Sequence, residues 1–176
     1  VFAAGNEYAG NPAFPGAYSK CVCVSSVAAD FTPACYTDFG SLVTLSAPGG
    51  DLEYYSKIGE QEDEYWAETT EQKGAVLSTL IQNGQPAYGY MEGTSMACPH
   101  VSGVAALGLA YAAKTNRHYR AADFVALMKK SVKELDSHYG NGATKTYYMN
   151  HTTVGASPEI VQLSKYIGKM GAGLID

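Results

Sequence analysis

The feature that most constrains this chain is a serine placed directly before a long apolar segment. The sequence Gly-Thr-Ser-Met-Ala-Cys-Pro-His at residues 93–100 leads into residues 101–114, which are almost all small or apolar. A helix that is apolar on every side is usually buried at the centre of a domain, so a core helix is predicted here. Proline is tolerated in the first turn of a helix, and Pro99 is therefore assigned to that turn. Ser95 would lie at the positive end of the helix dipole, beside unpaired N–H donors.

Two interpretations of Ser95 follow from the helix alone. Serine is a favoured N-cap residue, and the start of a helix is also a good place for a nucleophile because its N–H donors can hold an oxyanion. The wider string favours the nucleophile, since residues 93–103 closely resemble the nucleophile motif of the subtilisin-like serine proteases (subtilases). The Gly-x-Ser-x-Gly elbow of α/β-hydrolases does not fit, because Ala97 replaces its last glycine.

A second motif lies at the start of the chain. Residues 1–7, Val-Phe-Ala-Ala-Gly-Asn-Glu, are typical of a strand that runs into a glycine turn with an amide at its tip. Taken alone, Asn6 is an ordinary turn residue. The segment resembles the subtilase segment whose asparagine side chain donates a hydrogen bond to the tetrahedral intermediate. Such a donor must be neutral and fixed before the charge appears, and an amide meets that requirement.

The resemblance extends along the chain through three further turns. Residues 14–18 resemble the aromatic-Pro-Gly turn of subtilases, residues 45–49 their Ala-Pro-Gly turn, and residues 171–176 their Gly-x-Gly closing segment. It implies an α/β fold with a mostly parallel sheet sandwiched by helices, incomplete at the N-terminal side. Residues 1–176 would then form the C-terminal part of one catalytic domain.

No residue here matches the other two members of the catalytic triad. In subtilases the triad runs Asp, His, Ser along the chain, so the resemblance places the aspartate and histidine in a preceding N-terminal part, which becomes the expected partner. His100 follows Ser95 by five residues on the same helix and points to a different side. The other histidines lie in polar surroundings: His118, His138 and His151. An α/β-hydrolase arrangement would need a later aspartate, Asp123 or Asp136, together with a later histidine, His138 or His151. The spacing of these residues does not favour that arrangement.

The resemblance implies a serine endopeptidase that hydrolyses peptide bonds in peptide or protein substrates. Ser95 would attack the scissile carbonyl, while its N–H and the Asn6 side chain would bind the oxyanion. The resemblance also implies that Ala3, Ala4 and Gly5 line the wall of the pocket for the substrate residue before the cut. Glu7 would lie near the rim of this pocket and favour a basic substrate residue there. Because Ser95 keeps its proton without a base, this chain alone is predicted to be inactive. The alternative is a non-catalytic binding module with a subtilase fold.

Composition narrows the partners and the compartment. Apolar residues make up 46% of the 176 residues, which allows a sizeable core, and the net charge is −5. Lysine and arginine are scattered, which argues against nucleic acid as a partner. Residues 96–113 approach membrane-span length, but they include a proline, a histidine and two glycines, so a core helix is predicted instead of a span. The first residues show no signal peptide; the resemblance implies a secreted, periplasmic or cell-surface protein.

Two segments depart from the family pattern. Residues 51–73 contain eight acidic residues and two lysines and are interpreted as an insertion. The candidates are a solvated surface loop or short helix, a lid over the cleft, and a calcium site. The calcium site is considered because hard cations prefer carboxylate oxygens. No ligand spacing resembles a known metal loop, so no metal ligand is assigned and no other cofactor is evident. Residues 137–165 form a second, variable segment.

The remaining pattern predicts strands, one more helix and free thiols. Strands are predicted at residues 1–4, 21–28, 34–38 and 42–45, and the resemblance implies a further strand at residues 75–80. A helical stripe of apolar positions runs through residues 121–135 and predicts a helix on the outer face of the sheet. The four cysteines lack the spacing of a zinc site, and we expect free, mostly buried thiols: Cys21, Cys23, Cys35 and Cys98.

Overall fold

A computed structural model describes residues 1–52, 74–147 and 158–175 of the chain. The strands are β1 (Phe2–Ala3), β2 (Cys23–Val27), β3 (Leu45–Pro48), β4 (Val76–Gln82), β5 (Gln85–Met91), β6 (Val132–Lys133), β7 (Thr144–Tyr147), β8 (Glu159–Gln162) and β9 (Leu174–Ile175). The helices are α1 (Thr94–Lys114), α2 (Ala121–Lys130), the short α3 (Asp136–Tyr139) and a 3₁₀ turn (Leu163–Tyr166).

Five strands form the central sheet in the order β1-β2-β3-β9-β6. The pairs β1–β2, β2–β3 and β3–β9 are parallel, whereas β6 runs antiparallel to β9 at one edge. The pairs β4–β5 and β7–β8 are separate two-stranded antiparallel hairpins. The predicted α/β class with a mostly parallel sheet is confirmed.

Hydrophobic clusters lie on both faces of the sheet. Neighbouring residues of a strand point to opposite faces, and Leu174 and Ile175 accordingly belong to different clusters. The cluster under α1 and α2 contains Val24, Leu45, Ala97, Val101, Phe124 and Met128. The opposite cluster, rich in aromatic rings, contains Val27, Tyr36, Phe39, Tyr139, Tyr147 and Tyr166. Short elements and loops therefore cover the second face, where long helices cover the first.

Helix α1 is not buried on all sides, which corrects the sequence prediction. Its inner face packs on the sheet through Ala97 and Val101, which are fully buried. On the outer face, Leu107 is 74% exposed and Tyr111 is 64% exposed. No layer of the described chain covers that face, and a hydrophobicity pattern cannot show which layers are present. Among the described residues α1 is long and apolar enough to cross a membrane, a test that the core helices of water-soluble proteins also pass.

Two of the predicted strands differ from the structure. Residues 34–38 form a turn and an irregular segment after an isolated bridge between Val27 and Pro33. Their side chains are nevertheless buried, which is why their pattern resembles a strand. The strand predicted at residues 42–45 begins only at Leu45.

The helix predicted at residues 121–135 ends at Lys130. Phe124 and Met128 face the core as predicted, but Val132 belongs to β6, which pairs with β9. Leu135 is buried beyond the helix. The apolar spacing continues across the helix end because consecutive elements pack on the same core, so spacing alone overestimates the helix.

Most of the acidic insertion and part of the variable segment lie outside the described residues, at 53–73 and 148–157. The first acid of the insertion, Asp51, is fully buried and forms an ion pair of 2.5 Å with the equally buried Lys145 of β7. Asp51 also accepts a hydrogen bond from the backbone N–H of Cys35. The four cysteines, all within the described residues, form no disulfide with one another; Cys23 and Cys35 are buried, whereas Cys21 and Cys98 are partly exposed.

Candidate active site

The two side chains predicted to act in catalysis come from different elements near the carboxyl ends of the parallel strands. Asn6 follows β1, and Ser95 is the second residue of α1; both are solvent-exposed. The N–H of Gly93 donates to the carbonyl of Gly49, just after β3, over 2.9 Å. The start of α1 is therefore tied to the carboxyl ends of parallel strands, where α/β proteins usually bind their ligands.

The N-cap of α1 is Gly93, with no side-chain capping bond. Ser95 lies two residues further on, which argues against the N-cap interpretation of this serine. As the second helical residue it has no intrahelical acceptor for its N–H, which leaves that donor for an external acceptor. Pro99 is the sixth residue of α1, so its placement in the first turn was wrong.

Thr94 orients the Asn6 amide. The Asn6 Oδ1 atom accepts hydrogen bonds from the Thr94 N–H at 2.9 Å and from the Thr94 hydroxyl at 2.7 Å. The same hydroxyl oxygen accepts the N–H of Gly5 at 3.3 Å. Because the amide oxygen is engaged by these donors, the amide NH₂ group is the end that points away from Thr94. Thr94 is 1% exposed, and sequence reasoning did not identify it, because its partners lie almost ninety positions earlier.

The donors of Asn6 and Ser95 border the same open space. A methyl group added to Gly93 would lie 3.6 Å from both Asn6 Nδ2 and Ser95 N. Gly93 has a φ of 141°, a conformation that residues with a side chain rarely adopt. The Met96 sulfur lies 3.8 Å from the same point. Two nitrogen donors and a thioether sulfur therefore lie within 3.8 Å of one point beside Gly93.

The residues predicted to line the pocket wall adjoin this space in sequence. Ala3 and Gly5 are half-buried, and the Glu7 side chain is exposed. Ala4 is fully buried and packs with Cys23 and Val43. The role of these residues toward substrate stays a prediction.

His100 and His138 contact groups other than the Ser95 hydroxyl. The Nδ1 atom of His100 donates to the carbonyl of Met96 at 2.8 Å, and the ring of His138 packs on Phe31. The two aspartates of the α/β-hydrolase alternative also have other partners: Asp123 pairs with Arg120, and Asp136 accepts the N–H of Gly168. His118 is exposed, and His151 lies outside the described residues.

Two buried side chains of residues 34–38 form hydrogen bonds with the backbone segments that carry Asn6 and Ser95. The hydroxyl oxygen of Tyr36 accepts the N–H of Gly93 at 2.9 Å and lies 2.6 Å from the carbonyl of Gly50, to which it can donate. Asp38 accepts N–H groups from the segment that carries Asn6. Burial raises the pKa of both side chains, and the two N–H donors partly offset this effect at Asp38. Sequence reasoning missed both residues because it assigned them to a strand.

No cluster of three or more histidine, cysteine, aspartate or glutamate side chains suited to a metal ion occurs among residues 1–52, 74–147 and 158–175. The acidic insertion, on which the calcium interpretation depends, falls almost entirely outside those ranges. Asp51, the acidic residue of the insertion that lies within those ranges, forms an ion pair with Lys145.

Comparison with known proteins agrees with the geometry. Residues 1–142 match the Subtilase family of peptidases. The chain is 37% identical over 110 residues to halolysin of Haloferax mediterranei, covering 62% of this chain and 16% of halolysin. It is 31% identical over 109 residues to the halolysin-like extracellular serine protease Nep of Natrialba magadii, covering 62% of this chain and 15% of that protein.

A solved protease structure from Pseudoalteromonas arctica matches the whole chain with a TM-score of 0.64 and 25% sequence identity. This chain spans 40% of that protein, and about a sixth of the two relatives. The match over residues 1–142, which is more than half of the chain, shows that the chain belongs to the subtilase family of serine proteases.

Proposed function

We propose that this chain is the nucleophile-bearing part of a subtilisin-like serine endopeptidase. The observation that carries the proposal is the space beside Gly93, which the Asn6 amide nitrogen and the Ser95 N–H both border at 3.6 Å from one point. Two donors converging next to a serine are what acyl transfer needs, because the tetrahedral intermediate bears its negative charge there.

In this mechanism the Ser95 hydroxyl attacks the scissile carbonyl of a peptide. The developing oxyanion accepts hydrogen bonds from the Asn6 NH₂ group and the Ser95 N–H. A single such donor contributes about 2.7–4 kcal/mol to transition-state stabilisation, a magnitude known from subtilisin itself. The Thr94 bonds to the Asn6 oxygen hold the donor in place before the charge appears.

The general base comes from outside residues 1–176. The family order Asp, His, Ser supports a position for both other triad members on a preceding N-terminal part of the catalytic domain. The exposed outer face of α1, with Leu107 and Tyr111, offers that part an apolar surface on which to pack. The chain alone is therefore expected to show no peptidase activity, because Ser95 stays protonated without a base.

The remaining details of the proposal concern substrate and compartment. The exposed carboxylate of Glu7, next to Asn6, favours a basic side chain in the residue before the cut. The relative Nep is an extracellular serine protease, which supports secretion of this protein. Calcium in the acidic insertion at residues 51–73 stays a hypothesis; identical limited-proteolysis patterns with and without calcium would contradict it.

A fluorophosphonate probe on the complete protein tests the proposal. We expect one labelled serine, Ser95, and loss of labelling in Ser95→Ala. The matched control is Ser102→Ala, which removes another exposed serine of α1, whose hydroxyl donates to the Cys98 carbonyl; it should label at the wild-type rate. Absence of labelling at Ser95 in the complete protein would contradict the proposal. For the chain alone, casein turnover that Ser95→Ala abolishes would refute the predicted inactivity.

The second candidate is a binding module that keeps the subtilase fold without the chemistry. The sequence of the complete protein separates the candidates: an aspartate and a histidine in subtilase motifs outside residues 1–176 support the enzyme, and their absence supports the module.

A further inference from the structure

The loop that carries Asn6 is held by hydrogen bonds on both sides of this residue. We define the oxyanion loop as residues 5–9. Asp38 Oδ1 accepts the N–H of Glu7 at 2.9 Å and the N–H of Ala9 at 2.8 Å. The Asp38 N–H donates to the carbonyl of Gly5 at 2.9 Å. One residue therefore contacts the oxyanion loop both before and after Asn6.

Asp38 also packs directly beneath Gly5. A methyl group added to Gly5 would lie 2.1 Å from Asp38 Oδ2, so the glycine allows the loop to rest on the carboxylate. The Asp38 side chain is 1% exposed and is out of reach of a substrate. Any effect of Asp38 on the reaction must therefore pass through the loop.

The position of Asp38 is itself fixed by the central sheet. The hydroxyl of Ser25, in the fully buried strand β2, donates to the Asp38 carbonyl at 2.6 Å. Two backbone bonds complete the support of the oxyanion loop, from Tyr8 N to the Tyr36 carbonyl at 2.8 Å and from Phe39 N to the Ala9 carbonyl at 3.0 Å. The rigid sheet thus holds Asp38, and Asp38 holds the loop.

We propose that Asp38 is a positioning residue for the oxyanion hole, acting through the backbone of the oxyanion loop to aim the Asn6 amide. The reason is geometric, because an oxyanion donor is effective only when it is fixed before the charge develops. A misplacement of about 1 Å can cost about a hundredfold in rate. The inference depends on the proposed function for its effect on catalysis but not for its effect on the loop.

A double-mutant cycle on the complete protein tests the catalytic part. In the wild-type background, Asp38→Ala should lower kcat at least about tenfold and change KM less than about twofold. Asp38→Asn keeps an oxygen acceptor for both N–H groups and should recover most of the lost kcat. In an Asn6→Ala background, Asp38→Ala should lower kcat by less than about twofold, because the donor that it aims is already gone.

The matched control is Asp136→Ala, which also removes a carboxylate that accepts a backbone N–H, that of Gly168. It should leave kcat unchanged in both backgrounds. Equal losses of kcat from Asp38→Ala with and without Asn6 would overturn the proposal, since they would indicate a general structural role. Wild-type kcat in Asp38→Ala would overturn it as well.

Hydrogen exchange separates this inference from the proposed function. In Asp38→Ala the amides of Glu7 and Ala9 should exchange at least about tenfold faster, while those of β2 and β3 keep their protection. If the loop amides respond in this way but the wild-type protein does not label at Ser95, the protease proposal fails and the anchoring role of Asp38 stands. If the wild-type protein labels and the loop amides are unaffected, the Asp38 proposal fails alone.

Discussion

Replacing Thr94 by valine tests whether the orientation of Asn6 matters, because it removes one hydroxyl and keeps the β-branched shape. Two hydrogen bonds disappear: the one that the hydroxyl donates to Asn6 Oδ1 at 2.7 Å and the one that it accepts from Gly5 N at 3.3 Å. The backbone N–H of Thr94 still holds the Asn6 oxygen at 2.9 Å. The amide is therefore loosened and not released.

The size of the effect follows from these contacts. Loss of the whole Asn6 donor would cost about 2.7–4 kcal/mol in the transition state, which sets the upper bound. Loss of one of two orienting hydrogen bonds corresponds to about 0.5–1.5 kcal/mol, or a decrease in kcat of about two- to twelvefold. The Gly5 N–H loses its acceptor, so the free energy of unfolding should also fall by about 1–3 kcal/mol.

The assay is steady-state kinetics of the complete protein on a peptide amide, together with urea denaturation. The effect should appear in kcat with little change in KM, because the oxyanion forms only in the transition state. The control is Thr115→Val at the other end of α1, which loses a hydroxyl bond to the carbonyl of Tyr111 and should keep its kcat. An unchanged kcat in Thr94→Val, with the loss of stability present, would refute the orienting role of Thr94.

Three further predictions follow from contacts around the site and in the core. Gly93→Ala should lower kcat at least about a hundredfold, because the added methyl group enters the oxyanion space and the alanine is strained by about 1–3 kcal/mol at this φ. The control is Gly140→Ala, whose added methyl has no atom within 4 Å and which should leave kcat unchanged. Oxidation of Met96 to the sulfoxide should lower kcat, since its sulfur lies 3.8 Å from the same point; full activity after peroxide treatment, with oxidation confirmed by mass spectrometry, would contradict this. Lys145→Met should lower the free energy of unfolding by about 3–5 kcal/mol, because it removes the ion-pair partner of the buried Asp51 carboxylate. In urea titrations, adding Asp51→Leu to this variant should recover part of the lost stability. Full stability of Lys145→Met alone would contradict the buried pair.

The candidate nucleophile Ser95 and the candidate oxyanion donor Asn6 were identified from the sequence because each lies in a contiguous motif. Residues 93–103 and 1–7 resemble family segments whose residue types the chemistry requires at those spacings. The supporting residues could not be predicted in this way. The bond between Asp38 and Glu7 spans 31 positions and that between Thr94 and Asn6 spans 88, and neither residue type indicates such a partner.

The errors in the predicted elements have a common physical cause. Apolar spacing reports that a residue is buried, not which element carries it or which layer covers it. Residues 34–38 are buried without forming a strand, and Leu135 is buried beyond the end of α2. On α1 the apolar sequence predicted burial on every side, yet Leu107 on the outer face is 74% exposed.

The most direct test of the central claim is an experimental structure of the complete protein with a phosphonate bonded to Ser95 Oγ. Its phosphonyl oxygen occupies the place of the oxyanion. The account predicts that this oxygen lies about 2.7–3.1 Å from both Asn6 Nδ2 and Ser95 N, beside Gly93. An oxygen bound elsewhere, with the Asn6 amide turned away from it, would contradict the account.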